Sequence, residues 1–104
     1  MRIAFIAEGM YRGAGMERVL AIRANDLCQD FNVTFLTLDD GSCPDYFPLD
    51  ARVKRVYLSA HDKKSCYKVL SSYLKANPQD ITVSTGGLEF YVLYHIRDES
   101  KKIF

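Results

Sequence analysis

Hydrophobic and polar positions along the chain switch repeatedly between the period of a strand and that of a helix. The apolar run RIAFIAE, residues 2–8, has the composition of a strand that is buried on both faces. From about residue 16 to residue 30 the apolar positions recur at helical spacing and predict a helix. Its expected buried stripe consists of Met16, Val19, Leu20, Ala24, Leu27 and Cys28. The chain therefore begins with a strand, a glycine-rich turn and a helix.

The pattern then repeats with a second and a third strand and a second helix. Residues 32–40 are rich in β-branched and aromatic side chains and predict a strand, whereas residues 41–51 contain glycine and proline and predict a loop. Residues 53–59 predict a shorter strand. The helix after His61 is expected to end before Pro78, because proline disfavours a helical residue in front of it. Its apolar face contains Cys66, Val69, Leu70, Tyr73 and Leu74, and its opposite face carries Lys63, Lys64, Lys68 and Lys75.

The last part of the chain continues the alternation of strands and helices. Residues 80–87 predict a fourth strand that runs into a second glycine turn, residues 88–98 a largely apolar third helix, and residues 101–104 the start of a fifth strand. Such alternation favours a parallel sheet with right-handed crossovers. The predicted fold class is therefore α/β, a Rossmann-like doubly wound parallel sheet with strand order 3-2-1-4-5.

This strand order predicts where a ligand would bind. The first and fourth strands are neighbours in it, and ligands of such sheets bind in the crevice at the carboxyl ends of the strands where the order reverses. The turns GMYRGAG, residues 9–15, and STGGLE, residues 84–89, follow these two strands. The two glycine turns are therefore expected to flank one crevice.

Composition and charge exclude several classes of protein. The chain has 104 residues and a formal net charge of +1, which gives no field that would attract nucleic acid. Its three cysteines form no CxxC or Cys/His cluster, so they indicate neither a disulfide framework nor a metal site but reduced thiols in a cytoplasmic protein. Glu8 and Arg12 interrupt the first apolar run too early for a signal peptide. The lysine face of the second helix allows at most peripheral contact with the inner face of a membrane.

The first glycine turn carries the main candidate site. Gly13 and Gly15 can adopt positive φ and allow a ligand close to the backbone, and the amides at Gly15, Met16 and Glu17 would be free donors at a helix N-terminus. A diphosphate suits such donors, and Arg18 could add a charge-assisted contact. GAGMER departs from GxGxxG at Arg18 and lacks the GK[ST] of a P-loop, which weakens both an NAD site and an NTPase site. Alternatively, the glycines only form a tight turn and Glu17 caps the helix.

The second glycine turn has two readings as well. Thr85, Gly86, Gly87 and Glu89 either line the opposite side of the crevice or only begin the third helix, with Ser84, Thr85 or Glu89 as its capping group.

The remaining candidates have simpler roles. His61 and His95 are expected to be surface or packing residues, and Cys66 belongs to the core. Asp39 and Asp40 end the second strand, where a Rossmann acidic residue would bind ribose, although a carboxylate that starts a loop is the simpler role.

Four stretches carry a resemblance to a known family: MRIAFIAEGMYRGAGMERVL, VTFLTLDD, FPLDARVKRVYL and DITVSTGGLEFYVLY. They resemble the N-terminal half of family 4 glycosyltransferases, which have the GT-B fold of two Rossmann-like domains. The resemblance implies that the loop of Gly13, Ala14, Gly15 and Met16 faces the diphosphate of a sugar donor. It also implies that Gly86, Gly87 and Glu89 lie on the acceptor side.

The resemblance further implies a retaining transfer from a nucleotide-sugar, a co-substrate rather than a cofactor, to a polysaccharide or glycolipid acceptor, without an obligatory metal. Residues 1–104 would be one N-terminal, acceptor-side domain, and the C-terminal donor-binding domain would be needed in cis or in trans. The 104-residue chain alone is then expected to be inactive. Two other interpretations stay open, namely a non-catalytic nucleotide-binding or interaction module and a truncated, inactive remnant.

Overall fold

The computed structural model of the protein describes residues 1–60, 62–84 and 101–103. Within these residues the elements are, in order, β1 (Arg2–Ala7), α1 (Gly15–Leu27), β2 (Asn32–Thr37), β3 (Lys54–Tyr57), α2 (Lys63–Ala76), β4 (Ile81–Ser84) and β5 (Lys101–Ile103). Each predicted strand and the first two predicted helices are confirmed, with ends that shift by a few residues. The predicted third helix, residues 88–98, lies outside the described residues.

The described strands form one parallel sheet in the order β3-β2-β1-β4-β5. The predicted Rossmann-like α/β fold and its strand order are therefore confirmed. In the central strand β1, Phe5 is in register with Phe35 of β2 on one side and with Val83 of β4 on the other. All of β1 except Arg2 is buried, as expected for a strand with neighbours on both edges and packing on both faces.

Two hydrophobic clusters cover the two faces of the sheet, because successive side chains of a strand point to opposite sides. One cluster joins Phe5 and Phe35 to Leu20 and Ala24 of α1. The other joins alternate residues of the same strands, among them Ile6, to Cys66, Leu70 and Leu74 of α2. The helices thus lie on opposite faces, and burial of each large apolar side chain stabilises this arrangement by about 1.5–3 kcal/mol.

The buried face of α1 differs from the predicted one. Met16 and Val19 were expected in the core, but they are 55% and 44% exposed, whereas Glu17 and Ala21 are buried together with Leu20 and Ala24. The reason is the inward direction of Glu17, whose carboxylate bonds the backbone of the preceding loop. A hydrogen-bonded contact between a charged residue and the loop just before it has overridden the apolar spacing at the start of the helix.

Met16 and Val19 instead border an apolar groove of about 740 Å³ beside α1. Its other described walls include Ile3 and Phe5 of β1 and Ile81 and Val83 of β4. Because α1 connects β1 to β2, it lies toward the β2 side of this face. The groove is the space between α1 and β4 on this face of the sheet.

Candidate functional site

The loop between β1 and α1 leaves the carboxyl end of the central strand, where the sequence predicted a binding crevice. Gly13 in this loop has a φ of +75°, and a β-carbon there would lie 3.0 Å from the ring of Tyr46. Tyr46 is held in place by its backbone amide, which donates to the carbonyl of Met10 at 2.7 Å. Gly13 is therefore required by the fold, both for its backbone angle and for its contact with Tyr46.

Glu17 ties this loop to the first turn of α1. Its side chain is 7% exposed, and Oε1 accepts hydrogen bonds from the backbone amides of Arg12 and Gly13, each at 3.1 Å. Glu17 therefore does not cap the helix as considered from the sequence, because its carboxylate bonds two amides that precede the N-cap residue Ala14 and none of the helix itself. Two loop amides thereby have an acceptor within the protein, and the carboxylate of Glu17 lies beside them.

The start of α1 itself carries no side-chain cap. Ala14 is the N-cap residue and has no hydrogen-bonding side chain, and the first intrahelical bond runs from the amide of Arg18 to the carbonyl of Ala14 at 3.1 Å. The amides of Gly15, Met16 and Glu17 come before that donor, and within the described residues none of them has an acceptor. These are the amides that the sequence assigned to a diphosphate.

Gly15 differs from Gly13 in that the fold does not require a glycine at its position. It is exposed, it lies in the helix, and a β-carbon added to it would meet no atom of the described residues within 4 Å. Gly15 leaves open space in front of the uncapped amides. Arg18, one turn further on, is exposed and forms no ion pair with any residue that the structure describes. The five residues predicted to face a diphosphate therefore lie together at one exposed helix start.

A second concave feature lies on the other side of the loop, at the carboxyl ends of β1 and β2. We call it the acidic pocket. It has a volume of about 340 Å³ and rests on Leu38 and Ala60, two residues of the cluster between the sheet and α2. Its walls include Glu8, Tyr11, Arg12, Asp39, Asp40 and Cys43. Sequence reasoning placed the crevice between β1 and β4 and missed this pocket; the paired aspartates at the end of β2 were the available signal.

The two aspartates of the pocket have different environments. Asp40 accepts a hydrogen bond from the amide of Ser42 at 2.9 Å, which is the loop-starting role predicted for it. Asp39 Oδ1 is buried and has no hydrogen-bond partner within the described part of the chain. The carbonyl of Asp39 accepts from the amide of Ser59 at 3.2 Å, and Ser59 has a φ of +52°, which is rare for a residue other than glycine.

The loop that follows β2 is clamped onto the sheet by Arg55. Its guanidinium forms two hydrogen bonds of 3.0 Å with the carboxylate of Asp45 and stacks 4.1 Å from the ring of Tyr57. It also donates to the carbonyls of Phe35 and Val56. Because Asp45 immediately precedes Tyr46, this clamp holds the tyrosine ring against Gly13.

A second contact fixes the far end of the same loop on α1. Asn25 donates to the carbonyl of Pro48 at 3.0 Å and accepts from the amide of Asp50 at 2.7 Å. Hydrogen bonds from Arg52 hold the pKa of the Asp50 carboxyl well below its usual range, and the same pair raises the pKa of Arg52. The loop that borders the acidic pocket is therefore held at two points, Asp45 and residues 48–50.

The remaining predicted site residues divide into two groups. Thr85, Gly86, Gly87 and Glu89, predicted on the acceptor side, lie outside the described residues, as do His61 and His95. Ser84, which ends β4, is 1% exposed, and its Oγ has no hydrogen-bond partner in the described ranges. Cys66 is fully buried in the core, as predicted, and no disulfide joins Cys28, Cys43 or Cys66.

Residues 1–60, 62–84 and 101–103 contain no group of three or more histidine, cysteine or acidic side chains arranged to hold a metal ion. In the same ranges, the helices are too short and too polar to span a bilayer.

No protein-family model matches the chain, and no curated protein shows significant similarity to it.

Proposed function

We propose that the chain is the acceptor-side domain of a glycosyltransferase, with the start of α1 facing the diphosphate of a nucleotide-sugar donor. The observation that carries this proposal is Gly15, a glycine at an exposed helix start where the fold has room for a side chain. Glycine within a helix is less favourable than alanine by about 1 kcal/mol. A glycine that packing does not need is explained by a ligand that must approach the backbone.

The chemistry of the helix start supports an anionic ligand. Three amides that have no acceptor among the described residues, together with the helix dipole, favour negative charge at this end of α1. The carboxylate of Glu17 is bonded to the amides of Arg12 and Gly13 and therefore does not occupy the amides of the helix start. Arg18 supplies a positive charge that no described acidic residue neutralises. Donors placed in this way stabilise the charge that develops on a diphosphate leaving group when the sugar is transferred.

The complete reaction needs a second domain. In this proposal a C-terminal domain, supplied in cis or in trans, binds the nucleotide-sugar, and the acceptor is a glycan or a lipid-linked sugar. The transfer contributes to the synthesis of a polysaccharide or glycolipid in the cytoplasm, and Thr85, Gly86, Gly87 and Glu89 face the acceptor. This chain by itself has little or no transferase activity.

The exposed face of α2 supports contact with the inner face of a membrane. Lys63, Lys64, Lys68 and Lys75 are all exposed, and α2 contains no acidic residue. Such a face attracts anionic headgroups. We expect salt-sensitive sedimentation of the protein with vesicles of phosphatidylglycerol but not with vesicles of phosphatidylcholine. Replacement of Lys64 and Lys68 by Gln should reduce it, whereas equal binding to both vesicle types would contradict the membrane contact.

A second candidate function is a nucleotide-binding module without catalysis. It is favoured by the position of Asp39, which lines a pocket at the end of β2 together with Arg12 of the loop that leads into α1. In dinucleotide-binding sheets an acidic residue at this place binds ribose while the helix start binds phosphate. Binding of a nucleoside diphosphate, with no turnover of its sugar conjugate even when a donor-binding domain is present, would favour this function.

The test of the transferase proposal compares the protein with its Gly15→Val variant. Both are mixed with UDP-glucose or GDP-mannose, with and without a donor-binding GT-B domain, and release of the nucleotide is measured. We expect turnover only when both domains are present, with a large loss in Gly15→Val and an unchanged melting temperature. Undiminished turnover in Gly15→Val, or no turnover with any donor, would contradict the role of the loop.

A further inference from the structure

We infer that a second copy of this chain covers the apolar groove beside α1, so that two copies form a symmetric dimer. In this dimer the outer side of α1 in each copy lies in the groove of the other copy. The contact is made by the later turns of α1 and by the strands β4 and β5. It does not depend on the proposed transferase function.

The groove is a part of the sheet that the described residues leave uncovered. On the face of α2, the strand β4 is closed over, because Thr82 and Ser84 are buried. On the groove face, Ile81 and Val83 of the same strand are only half-buried, and Ile103 of β5 is 44% exposed. Parallel sheets are normally covered on both faces, so an apolar surface of this kind favours a partner.

The handedness of the fold indicates that this partner is not one of the crossovers of the sheet. The helix α1 packs on β1 and β2, and α2 packs on the other face. Right-handed crossovers from β3 to β4 and from β4 to β5 are both expected on the face of α2, because they run across the sheet in the same direction. We therefore expect the cover of the groove to come from another chain.

The exposed apolar residues of α1 indicate which chain this is. Val19 borders the groove, whereas Ile22 is not among its walls and is 58% exposed on the outer side of the helix, away from the buried Leu20 and Ala24. A foreign helix that lay in the groove would leave Ile22 in water. A second copy has a groove of its own that can receive the outer side of α1, so both apolar surfaces are buried at once.

Two-fold symmetry makes this contact self-complementary. The two α1 helices lie side by side and antiparallel between the two sheets. Arg23 borders the groove and Asp26 follows three residues later; both are exposed, and neither forms an ion pair among the described residues. Antiparallel helices bring Arg23 of each copy toward Asp26 of the other, which places opposite charges at the rim of the apolar contact.

The size of the surface suits a reversible dimer. The helix α1 has 13 residues and is therefore about 20 Å long and about 10 Å wide. Helix and groove together form a patch of about 20 Å by 20 Å on each copy, and interdigitating side chains bury more area than this projection of about 400 Å². The contact approaches the lower end of specific interfaces, about 600 Å² per copy, which predicts dissociation on dilution.

The experiment measures the oligomeric state of the full chain by sedimentation velocity, over protein concentrations from micromolar to millimolar. We expect the mass to rise from that of one chain to that of two. Ile22→Lys should weaken the dimer about tenfold or more, because it places a charge in the apolar groove of the second copy. Tyr67→Lys makes the matched change at an exposed residue of α2 and should dimerise as the parent does. Both side chains are about half exposed in one copy, so both variants should keep the melting temperature of the dilute parent.

The arrangement is tested in a mixed sample, in which one population carries labelled isoleucine methyl groups and the other labelled valine methyl groups. We expect magnetisation transfer between Ile22 of one copy and Val83 of the other. The inference is overturned if the chain stays monomeric at every concentration, if Ile22→Lys dimerises as the parent does, if Tyr67→Lys weakens the dimer equally, or if this transfer is absent. A monomer whose Val83 methyl groups are shielded from a paramagnetic probe in the solvent would assign the groove to a segment of the same chain and would also overturn it.

Discussion

The carboxylate of Glu17 accepts a hydrogen bond of 3.1 Å from the backbone amide of Gly13, so the first turn of α1 and the loop before it form one unit. The same oxygen binds the amide of Arg12. This contact divides the amides of the region into two sets. The amides of Arg12 and Gly13 are satisfied by Glu17, whereas those of Gly15, Met16 and Glu17 have no acceptor among the described residues.

Removal of the Glu17 carboxylate should destabilise the protein. In Glu17→Ala two partly buried bonds from the amides of Arg12 and Gly13 lose their charged acceptor, and hydrogen bonds to charged groups contribute about 1.5–3 kcal/mol. Urea denaturation should therefore show a loss of that size, whereas Glu17→Gln, which keeps an acceptor oxygen, should lose less. Equal stability of Glu17→Ala and the parent would contradict the role of this contact.

The two glycines of the loop should respond oppositely to alanine. Gly13→Ala places a side chain at positive φ and against the Tyr46 ring, and the backbone strain alone costs about 1–2 kcal/mol. Gly15→Ala meets open space in a helix and should be neutral or stabilising by up to about 1 kcal/mol. Each variant is the control for the other in chemical denaturation. If Gly15→Ala lowered the free energy of unfolding more than Gly13→Ala, Gly15 and not Gly13 would be the glycine that the fold requires.

The clamp of Arg55 on Asp45 should be sensitive to the shape of the cation. Arg55→Lys keeps the charge but loses the two-pronged bond and the stacking on Tyr57, and we expect a loss of about 1–2 kcal/mol for this partly buried pair. Arg52→Lys makes the same change in the more exposed pair with Asp50 and should have a smaller effect on the melting temperature. Equal effects in the two variants would show that burial of the clamp does not matter.

Asp50 should give the stability a component that disappears in acid. Its pKa is depressed in the folded protein by hydrogen bonds from Arg52, so its contribution is present above the ordinary aspartate value of about 3.9 and is lost as the pH falls through the folded value. Melting temperatures of the parent and Asp50→Asn should therefore differ at pH 7 and converge as the pH is lowered below about 4. A difference that is constant from pH 7 to strong acid would contradict this assignment.

The strand order was predictable because alternating strands and helices with right-handed crossovers leave few arrangements. The side chains that α1 buries in its first turn were not predictable. Apolar spacing contains no information about the hydrogen bonds of Glu17 with the amides of Arg12 and Gly13. The acidic pocket was not predicted from the sequence for a similar reason. Glu8 and Asp39 are far apart in sequence and share a pocket only because β1 and β2 are in register.

The central claim is that the amides at the start of α1 receive a diphosphate. The most direct measurement is a titration of the isotope-labelled protein with inorganic pyrophosphate and with UDP-glucose, followed by the backbone amide shifts of Gly15, Met16 and Glu17. We predict that both ligands shift these three amides, that the amide of Gly13 moves less because Glu17 holds it, and that Gly15→Val removes the response without unfolding the protein. Unchanged amides at the start of α1, or an equal response in Gly15→Val, would contradict the account.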